Sequence, residues 1–510
     1  MANSIFRTYA QDNGGRVAIL FLLFLLALFR FYVSGFSGFA TICTIPIIIL
    51  TIIASFRHRM MMFWVLIVIN GIIQWHSISL PRGIPISMYN EIIEIILIML
   101  ALLDFNKSKG GKLYNFMGFF LLIWCGYCTL EVLNDTCDLG INVEAWYQGV
   151  RLIAYQLLYA FIVFTIYINS TKRLTQYLYV WGALALLAVV VVWKQKYIGL
   201  TEKDTAWLYG PHGRQHLLHA GTLIRYWSIY SDAANFGVGI ASTAVAFIIF
   251  GITSKLKRHR YIFLIIGAAC TWAIFPSGTR TAIACLMAGF MAYIFLSKSL
   301  KIAIPFTIIF GILIFILAFT KIGNGNQQIR RMRSAFDKND ASVSTRDINQ
   351  EAMKKYMKDA PFGIGLGMNN TNVPANNKFN TMATLPADSE YVFIWMRTGI
   401  VGITIFIICT VFMIGGACWI VFFRLKSSSL RGIGAGMCCA MISQQLGGYA
   451  NQVLMQFPNC LTFYGGLAIV YVLPYIEKEW IAYENRELER IAEKKRLKLE
   501  KKKASRIWWH

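Results

Sequence analysis

The chain has 510 residues, of which 57% are hydrophobic and 15% are charged, and its mean hydropathy is +0.54. Soluble domains carry about a quarter charged residues, so this composition excludes an ordinary soluble protein and indicates an integral membrane protein. The formal net charge of +24 would indicate nucleic-acid binding in a soluble protein. In a membrane protein the basic cytoplasmic loops account for such a charge first, and we predict no nucleic-acid partner.

Apolar runs long enough to cross a bilayer recur along nearly the whole chain. A helix of roughly 20 apolar residues spans the hydrocarbon core. We therefore predict an all-α fold, a polytopic transmembrane helix bundle with about 14 spans, the range being about 12–14. The predicted spans are 17–35, 40–56, 61–78, 86–104, 113–133, 152–168, 174–193, 234–253, 261–276, 281–297, 302–320, 389–423, 432–448 and 459–476.

Basic residues are distributed unequally between the two sets of short connections. If alternate connections lie on one side, that side has sixteen Lys and Arg residues and the other has three. The positive-inside rule then predicts that both termini are cytoplasmic. Residues 1–476 form the predicted membrane domain, and 477–510 form a basic cytoplasmic helical tail that rests on membrane lipids.

Two long connections, about 194–233 and 321–388, face outward in this topology. The first has five basic against three acidic residues, and the second has ten against six. Since the positive-inside rule does not require basic residues on this side, their excess indicates an anionic substrate. A generic surface charge is the alternative. The cysteines lie mostly in apolar runs, where they act as small hydrophobic residues, and we predict no metal site and no cofactor.

Ionisable residues at or near the spans are the first candidates for function. Glu91 and Glu94 lie one turn apart in the fourth span, where carboxylates serve either a function or a structural partner. Arg280 lies in a very short outer turn between two spans. An arginine at that depth meets an anion or water, or it extends to lipid phosphate instead.

The second long connection contains its own signals. Ser344 and Asp347 match a capping box and predict a helix start, and an apolar stripe follows at helical spacing. Arg346 lies in the first turn of that helix, where free N–H groups favour an anion. Glycines at 363, 365 and 367 then predict a tight turn. They match a phosphate-binding loop only weakly, because no strand precedes them.

These outer segments together resemble the O-antigen ligase/polymerase superfamily of bacterial envelope glycosyltransferases. The similarity extends over roughly Tyr197 to Gly402 and rests on three motifs in order. The first is Arg225 followed by Ser231, Asp232 and Asn235 at the entry of a span. The second is the turn Ser277–Arg280. The third is Arg346, a helix, then Pro361, Gly363, Gly365, Asp388-Ser389, Gly399 and Gly402.

The resemblance implies a GT-C-like bundle in the bacterial inner membrane, with both long loops in the periplasm. It also implies an enzyme that moves a glycan from undecaprenyl pyrophosphate, as a whole and without a metal or nucleotide, to an acceptor hydroxyl. A polymerase uses another lipid-linked glycan as acceptor, and a ligase uses the lipid A core. Ligases usually have His-Asn where this chain has Asp388-Ser389, which favours a polymerase. A chain-length regulator is a further candidate partner.

The chemistry of this reaction assigns roles to the candidate residues. Negative charge develops on the departing pyrophosphate, and forked guanidinium groups suit phosphate oxygens. We therefore predict that Arg225 and Arg280 clamp the pyrophosphate and that Asp388 accepts the acceptor's proton, with inversion at the anomeric carbon. Further substrate-binding residues are predicted at Arg214, Asp232, Asn235, Arg346 and Glu390, of which Glu390 is the second choice as proton acceptor.

Two other classes of function remain as alternatives. A transporter or flippase of lipid-linked oligosaccharide would show repeated halves and interrupted spans, and the sequence has no evident internal repeat. A scaffolding membrane protein would not need arginines at the outer interface.

Overall fold

The computed structural model describes residues 57–76, 85–103, 107–210, 217–219, 223–297 and 341–507, with isolated residues between 15 and 53 and between 304 and 333. The chain divides into two compact units, residues 1–65 and residues 66–510. The second unit contains all three of the motif segments.

Helices dominate the described residues. The first half comprises α1 (Arg59–Ile72), α2 (Ile86–Leu103), α3 (Lys107–Leu113), α4 (Phe116–Leu130), α5 (Val143–Val150), a π-helical segment (Arg151–Tyr155), α6 (Gln156–Tyr167), α7 (Thr171–Tyr197) and α8 (Glu202–Tyr209). The second half comprises α9 (Ala233–Thr253), α10 (Lys257–Ser277), α11 (Arg280–Leu296), α12 (Ala341–Met357), α13 (Asn380–Thr384), α14 (Glu390–Trp419), α15 (Ser428–Ala450) and α16 (Asn459–Ile507).

Among the described residues, β structure is confined to one short antiparallel pair, β1 (Leu218–His219) and β2 (Leu223–Ile224). Eight helical stretches in this part of the chain are long and apolar enough to cross a membrane. They are Ile86–Leu103, Phe116–Leu133, Val143–Tyr167, Thr171–Tyr197, Ala233–Thr253, Lys257–Ser277, Glu390–Arg424 and Asn459–Lys498. The all-α membrane bundle is therefore confirmed, whereas its GT-C-like relationship stays a prediction.

The remaining predicted spans fall into two groups. The spans 61–78, 281–297 and 432–448 correspond to α1, α11 and α15, of which α1 and α11 are apolar but have fewer than 18 residues. The spans 17–35, 40–56 and 302–320 lie outside the described residues, apart from isolated positions.

The helix α9 lies at the centre of the second unit, because it packs against α10, α11 and α15 and most of its residues are buried. A helix that is apolar on every face is expected to be enclosed by other helices. Glycines on α9 permit very close neighbours. A Cβ at Gly237 would lie 2.7 Å from Ser277 Oγ, and one at Gly239 would overlap the amide of Asn459. This central helix therefore holds the end of α10 and the start of α16 in place.

Small residues also explain the position of α15. A Cβ at Gly436 would lie 2.5 Å from the Phe250 ring, and Gly432 and Gly447 likewise face α9 side chains closely. Transmembrane helices approach one another through such small residues, because van der Waals packing drives their association. The glycines of α15 therefore allow this helix to pack closely against α9.

The chain direction defines two ends of the bundle. We call the end at which α9, α11, α14 and α16 begin the loop end, and the opposite end the tail end. At the tail end Glu477 of α16 accepts hydrogen bonds from the backbone N–H groups of Lys426 (2.6 Å) and Ser427 (2.7 Å). Lys255 forms an ion pair there with Glu484 (3.2 Å). The predicted tail is continuous with α16, which extends through residue 476 to Ile507.

The two intramembrane carboxylates of α2 have structural partners. Arg151, at the start of the π-helical segment, forms a buried ion pair with Glu91 (2.9 Å). Gln156 donates a hydrogen bond to Glu94 (2.5 Å). Of the two alternatives for these residues, the structure therefore supplies the structural partner, which joins α2 to α6.

Candidate functional site

The turn Ser277–Arg280, which we call the arginine turn, connects α10 to α11 at the loop end. Gly278 has a left-handed backbone (φ 56°), a conformation that glycine adopts without steric cost and that ends many helices. Thr279 is buried, and its hydroxyl donates to the carbonyl of Ala233 (2.6 Å). Because Ala233 is the first residue of α9, the turn is fixed to the central helix.

Arg225 reaches the arginine turn from the preceding long connection. The backbone N–H of Tyr226 donates to Pro276 O (3.1 Å), and the Nη2 of Arg225 donates to Thr279 Oγ1 (3.1 Å). The guanidinium therefore contacts the residue immediately before Arg280. Both arginines are half-buried. Burial also raises the pKa of the Tyr226 phenol above its ordinary value, so this hydroxyl is neutral.

Asp232 and Asn235 are committed to contacts within the protein. Asp232 is the N-cap of α9, and its carboxylate accepts from the N–H groups of Ala234 (2.6 Å) and Asn235 (2.9 Å), as N-cap residues do. Asn235 is fully buried and donates to Phe457 O (2.8 Å). Both were predicted to bind substrate. The structure places Asn235 away from any open surface, since the fit of α9 to α16 encloses its side chain.

The connection between α15 and α16, residues 451–458, joins the predicted segments to one another. Asn451 donates to Thr281 Oγ1 (3.2 Å), beside Arg280. Gln456 accepts a hydrogen bond from Ser231 (2.6 Å), beside Asp232. Gln452 donates to the carbonyl of Ala387, beside Asp388. We call residues 451–458 the bridging loop, because it contacts all three motif segments.

The sequence analysis assigned no role to the bridging loop and treated it only as the connection between two spans. One feature of the sequence could have indicated its role. The segment contains Asn451, Gln452 and Gln456, and Asn459 follows directly, so four amide side chains lie within nine residues between two apolar runs. Backbone and side-chain polar groups at this depth require hydrogen-bond partners, and amides provide both donors and acceptors.

Asp388 and Glu390, the two predicted proton acceptors, have opposite environments. Asp388 is exposed and forms no ion pair within the described part of the chain. Glu390 is only 2% exposed, and its carboxylate accepts the N–H of Leu454 in the bridging loop (3.0 Å). Glu390 was the second choice as proton acceptor, but it does not lie at a water-accessible surface, because the bridging loop covers it and donates to its carboxylate.

The structure gives less information about the other two predicted arginines, Arg214 and Arg346. Arg214 lies outside the described residues. Arg346 lies within α12, which begins at Ala341, three residues before the expected start at Ser344. The apolar stripe of α12 is partly confirmed, because Met353 and Met357 are buried in a cluster with Ile364, Met396 and neighbouring apolar residues, whereas Ile348 is exposed.

The glycine-rich segment Pro361–Gly367 forms the predicted tight turn, with positive φ angles at Gly363 (74°), Gly365 (98°) and Gly367 (78°). It lies between α5 and the start of α14. A Cβ at Gly367 would overlap the carbonyl of Ala145 in α5, and one at Gly399 of α14 would overlap the carbonyl of Pro361. We call this contact of backbone against backbone the glycine interlock.

The glycine interlock also explains an interruption in α14. Gly399 has non-helical angles (φ 68°, ψ −170°), which break the helix near the loop end. The carbonyls of Met396 and Arg397 then accept the N–H groups of Ile364 (2.9 Å) and Gly365 (3.1 Å). The N–H groups of these two residues are thus used inside the fold and are not part of a phosphate cradle.

The comparison with known families covers the second and third of the three motif segments. Residues 265–407 match the family model described as O-Antigen ligase. The matched segment contains the arginine turn, the glycine interlock residues 361–367 and 399, and Asp388. The resemblance to the O-antigen ligase/polymerase superfamily is therefore confirmed, and the match supports a function of this general type in a multi-pass membrane protein. No curated protein matched the chain.

Proposed function

We propose that this protein is a glycosyltransferase that acts at the periplasmic face of the bacterial inner membrane. In this proposal it transfers an oligosaccharide from undecaprenyl pyrophosphate, as a whole, to the hydroxyl of an acceptor sugar, and it is a polysaccharide repeat polymerase with both termini in the cytoplasm. The observation that carries the proposal is the contact of Arg225 with Thr279, directly beside Arg280.

The two arginines supply what the leaving group needs. As the glycosidic bond to the pyrophosphate breaks, negative charge develops on the phosphate oxygens. Preorganised cations at those oxygens stabilise the transition state more than the ground state. A planar guanidinium presents two N–H groups to two oxygens at once. Arg225 and Arg280 originate from neighbouring points at the loop end and serve as this clamp.

Asp388 is the proposed proton acceptor. A general base must reach the acceptor hydroxyl, and its carboxylate must be ionised and available. Asp388 is exposed, while the residues on both sides of it are held: Ala387 by Gln452, and Ser389 by the carbonyl of Gly448 (3.2 Å). Attack by the acceptor hydroxyl on the anomeric carbon, without an enzyme-bound intermediate, inverts the configuration.

Asp232, Asn235 and Glu390 are proposed as positioning residues. They were expected to contact substrate directly, yet their side chains hold the start of α9 and the bridging loop. Since the bridging loop contacts the neighbours of both Arg280 and Asp388, these three residues maintain the distance between the clamp and the proton acceptor.

A ligase is the second candidate, because the matched family model is described as O-Antigen ligase. A ligase would transfer the glycan to the lipid A core. The pair Asp388-Ser389 stands where ligases usually have His-Asn, and this favours the polymerase. A deletion strain separates the two functions: a single repeat on the core indicates a polymerase, and accumulation of long lipid-linked chains indicates a ligase.

The clamp is tested by complementing that deletion strain with Arg280→Ala at matched expression. We expect a loss of glycan transfer of about 100-fold, as when one stabilising donor is removed from other active sites. Arg424→Ala is the matched control, because Arg424 is an exposed arginine at the tail end. Unchanged glycan banding with Arg280→Ala would show that the clamp does not exist.

A further inference from the structure

Arg397 is a buried cation that the proposed reaction does not use. It lies on α14, two turns after the helix begins, and is 9% exposed. Its Nε and Nη1 atoms are enclosed and have no hydrogen-bond partner among the described residues. Arginine keeps its charge at every physiological pH, so the group cannot avoid the cost of burial by losing a proton.

The surroundings of Arg397 compensate its charge only slightly. Its guanidinium lies over the Phe393 ring at 5.4 Å, a cation–π contact of modest strength. Cys137 is close enough to interact electrostatically, but burial raises the pKa of its thiol to about 11, so it is neutral. In the described part of the chain no carboxylate forms an ion pair with Arg397.

Arg151 shows how the same fold treats a structural arginine. It is 5% exposed, comparable to Arg397, and Glu91 neutralises it at 2.9 Å. Buried charges in proteins are generally paired, because an uncompensated one is strongly destabilising. Arg397 departs from this rule although its burial is similar.

The backbone around Arg397 is held firmly. Its own carbonyl accepts the N–H of Gly365, and the preceding carbonyl, of Met396, accepts the N–H of Ile364. The glycine interlock therefore fixes the part of α14 that carries the guanidinium. A binding group on a rigid backbone loses little conformational entropy when a ligand arrives.

We propose that Arg397 binds an oxyanion, a carboxylate or a phosphate, that arrives with the glycan ligand. The forked N–H groups of a guanidinium match both of these anions. The identity of the carrier rests on the proposed function, whereas the need for an anion rests on the burial of Arg397. If the anion is a carboxylate, the glycan contains an acidic sugar.

Thermal unfolding of the purified full-length protein in detergent tests this proposal. The probes are glucuronate and inorganic pyrophosphate, with glucose and chloride as controls at matched ionic strength. For the wild type we expect the Tm to rise with at least one of the two oxyanions and not with the controls, because a ligand that binds the folded state stabilises it. Glucuronate alone would indicate an acidic sugar, and pyrophosphate alone the phosphates of the lipid carrier.

The variant Arg397→Met has two expected effects. Without ligand its Tm rises by about 2 °C, because an uncompensated buried charge is removed. With glucuronate the rise is lost, and with pyrophosphate it is lost when Arg397→Met is combined with Arg280→Ala, so that the proposed clamp does not contribute. Arg397→Lys keeps the charge without the fork, so a smaller rise remains. Arg151→Met is the matched control: its Tm falls, because Glu91 is left unpaired, and its oxyanion-dependent rise persists.

Three results would overturn the proposal: no rise in the wild type, an equal rise in Arg280→Ala with and without Arg397→Met, or a lower Tm of ligand-free Arg397→Met. The Arg280→Ala variant separates this site from the clamp, since a rise that depends on Arg397 persists there. A failure of the proposed transfer reaction is observed separately, as unchanged glycan in the deletion strain, and leaves the unfolding result intact.

Discussion

The arginine turn and the glycine interlock lie in the same matched segment. The sequence of the first suggests phosphate binding through its arginine, and the sequence of the second matches a phosphate-binding loop only weakly. In the arginine turn, Arg280 is half-buried, and the hydroxyl of Thr279 accepts a hydrogen bond from Arg225, which comes from the preceding long connection. In the glycine interlock, backbone atoms contact backbone atoms so closely that a Cβ at Gly367 or Gly399 would overlap a carbonyl.

The two motifs therefore have different roles in the fold. A phosphate-binding loop must leave its N–H groups free for the ligand. The N–H groups of Ile364 and Gly365 are already hydrogen-bonded to α14. The glycine interlock therefore maintains the architecture of the loop end.

The largest expected effect comes from Gly367→Ala, which would break the interlock. The new Cβ would overlap the carbonyl of Ala145, so α5 and the loop must separate. We expect a destabilisation of roughly 3 kcal/mol or more, seen as a lower Tm and loss of the monodisperse species in gel filtration.

The matched control for this prediction is Gly140→Ala. Gly140 has nearly the same backbone angle (φ 77°) but no atom within 4 Å of the new Cβ. Only the left-handed strain of about 1–2 kcal/mol applies there. Equal effects of the two variants would show that close contact in the interlock is not what requires glycine.

The second largest effect is expected at Arg225, which contacts the arginine turn. Arg225→Ala should lower the rate of glycan transfer by about 100-fold while the Tm stays close to that of the wild type. Arg225→Lys should lower the rate less, because the charge remains and only the forked geometry is lost. Product formation by the purified protein at matched concentration is the measurement. A parallel loss of Tm and rate would instead assign Arg225 to the architecture.

The smallest effect is expected at Thr279, which joins the arginine turn to α9. Thr279→Val keeps the shape and removes the hydroxyl that accepts from Arg225 and donates to Ala233. We expect a loss of about 1 kcal/mol of stability and a roughly 10-fold slower transfer, since Arg225 is less well oriented. Thr279→Ser retains the hydroxyl and should behave like the wild type. A rate unchanged by Thr279→Val would show that this contact does not orient Arg225.

Several features could be predicted from residues close together in the chain. The apolar runs predicted the membrane-spanning helices, because the thickness of the bilayer imposes their length. The motif Ser277–Arg280 predicted an arginine at an outer turn, and the glycines 363, 365 and 367 predicted a tight turn. Each of these predictions depends on a local pattern.

Other features depended on contacts between distant parts of the chain. Ser231 and Gln456, which form a hydrogen bond, are 225 residues apart in sequence. The bridging loop could not be assigned a role before its amides met their partners. The burial of Glu390 and Asn235 could not be predicted either, because the position of a residue in the sequence does not show which distant segment will cover its side chain.

Hydropathy and short motifs are properties of contiguous residues, and they were sufficient to predict the membrane class of this protein, its family resemblance and the pair of arginines. The folded chain was needed to show that the glycines hold the backbone together, that Glu91 pairs with Arg151, and that Arg397 is buried with no carboxylate in an ion pair among the described residues. The physical reason is that whether a polar group is satisfied depends on neighbours that the fold brings from other segments.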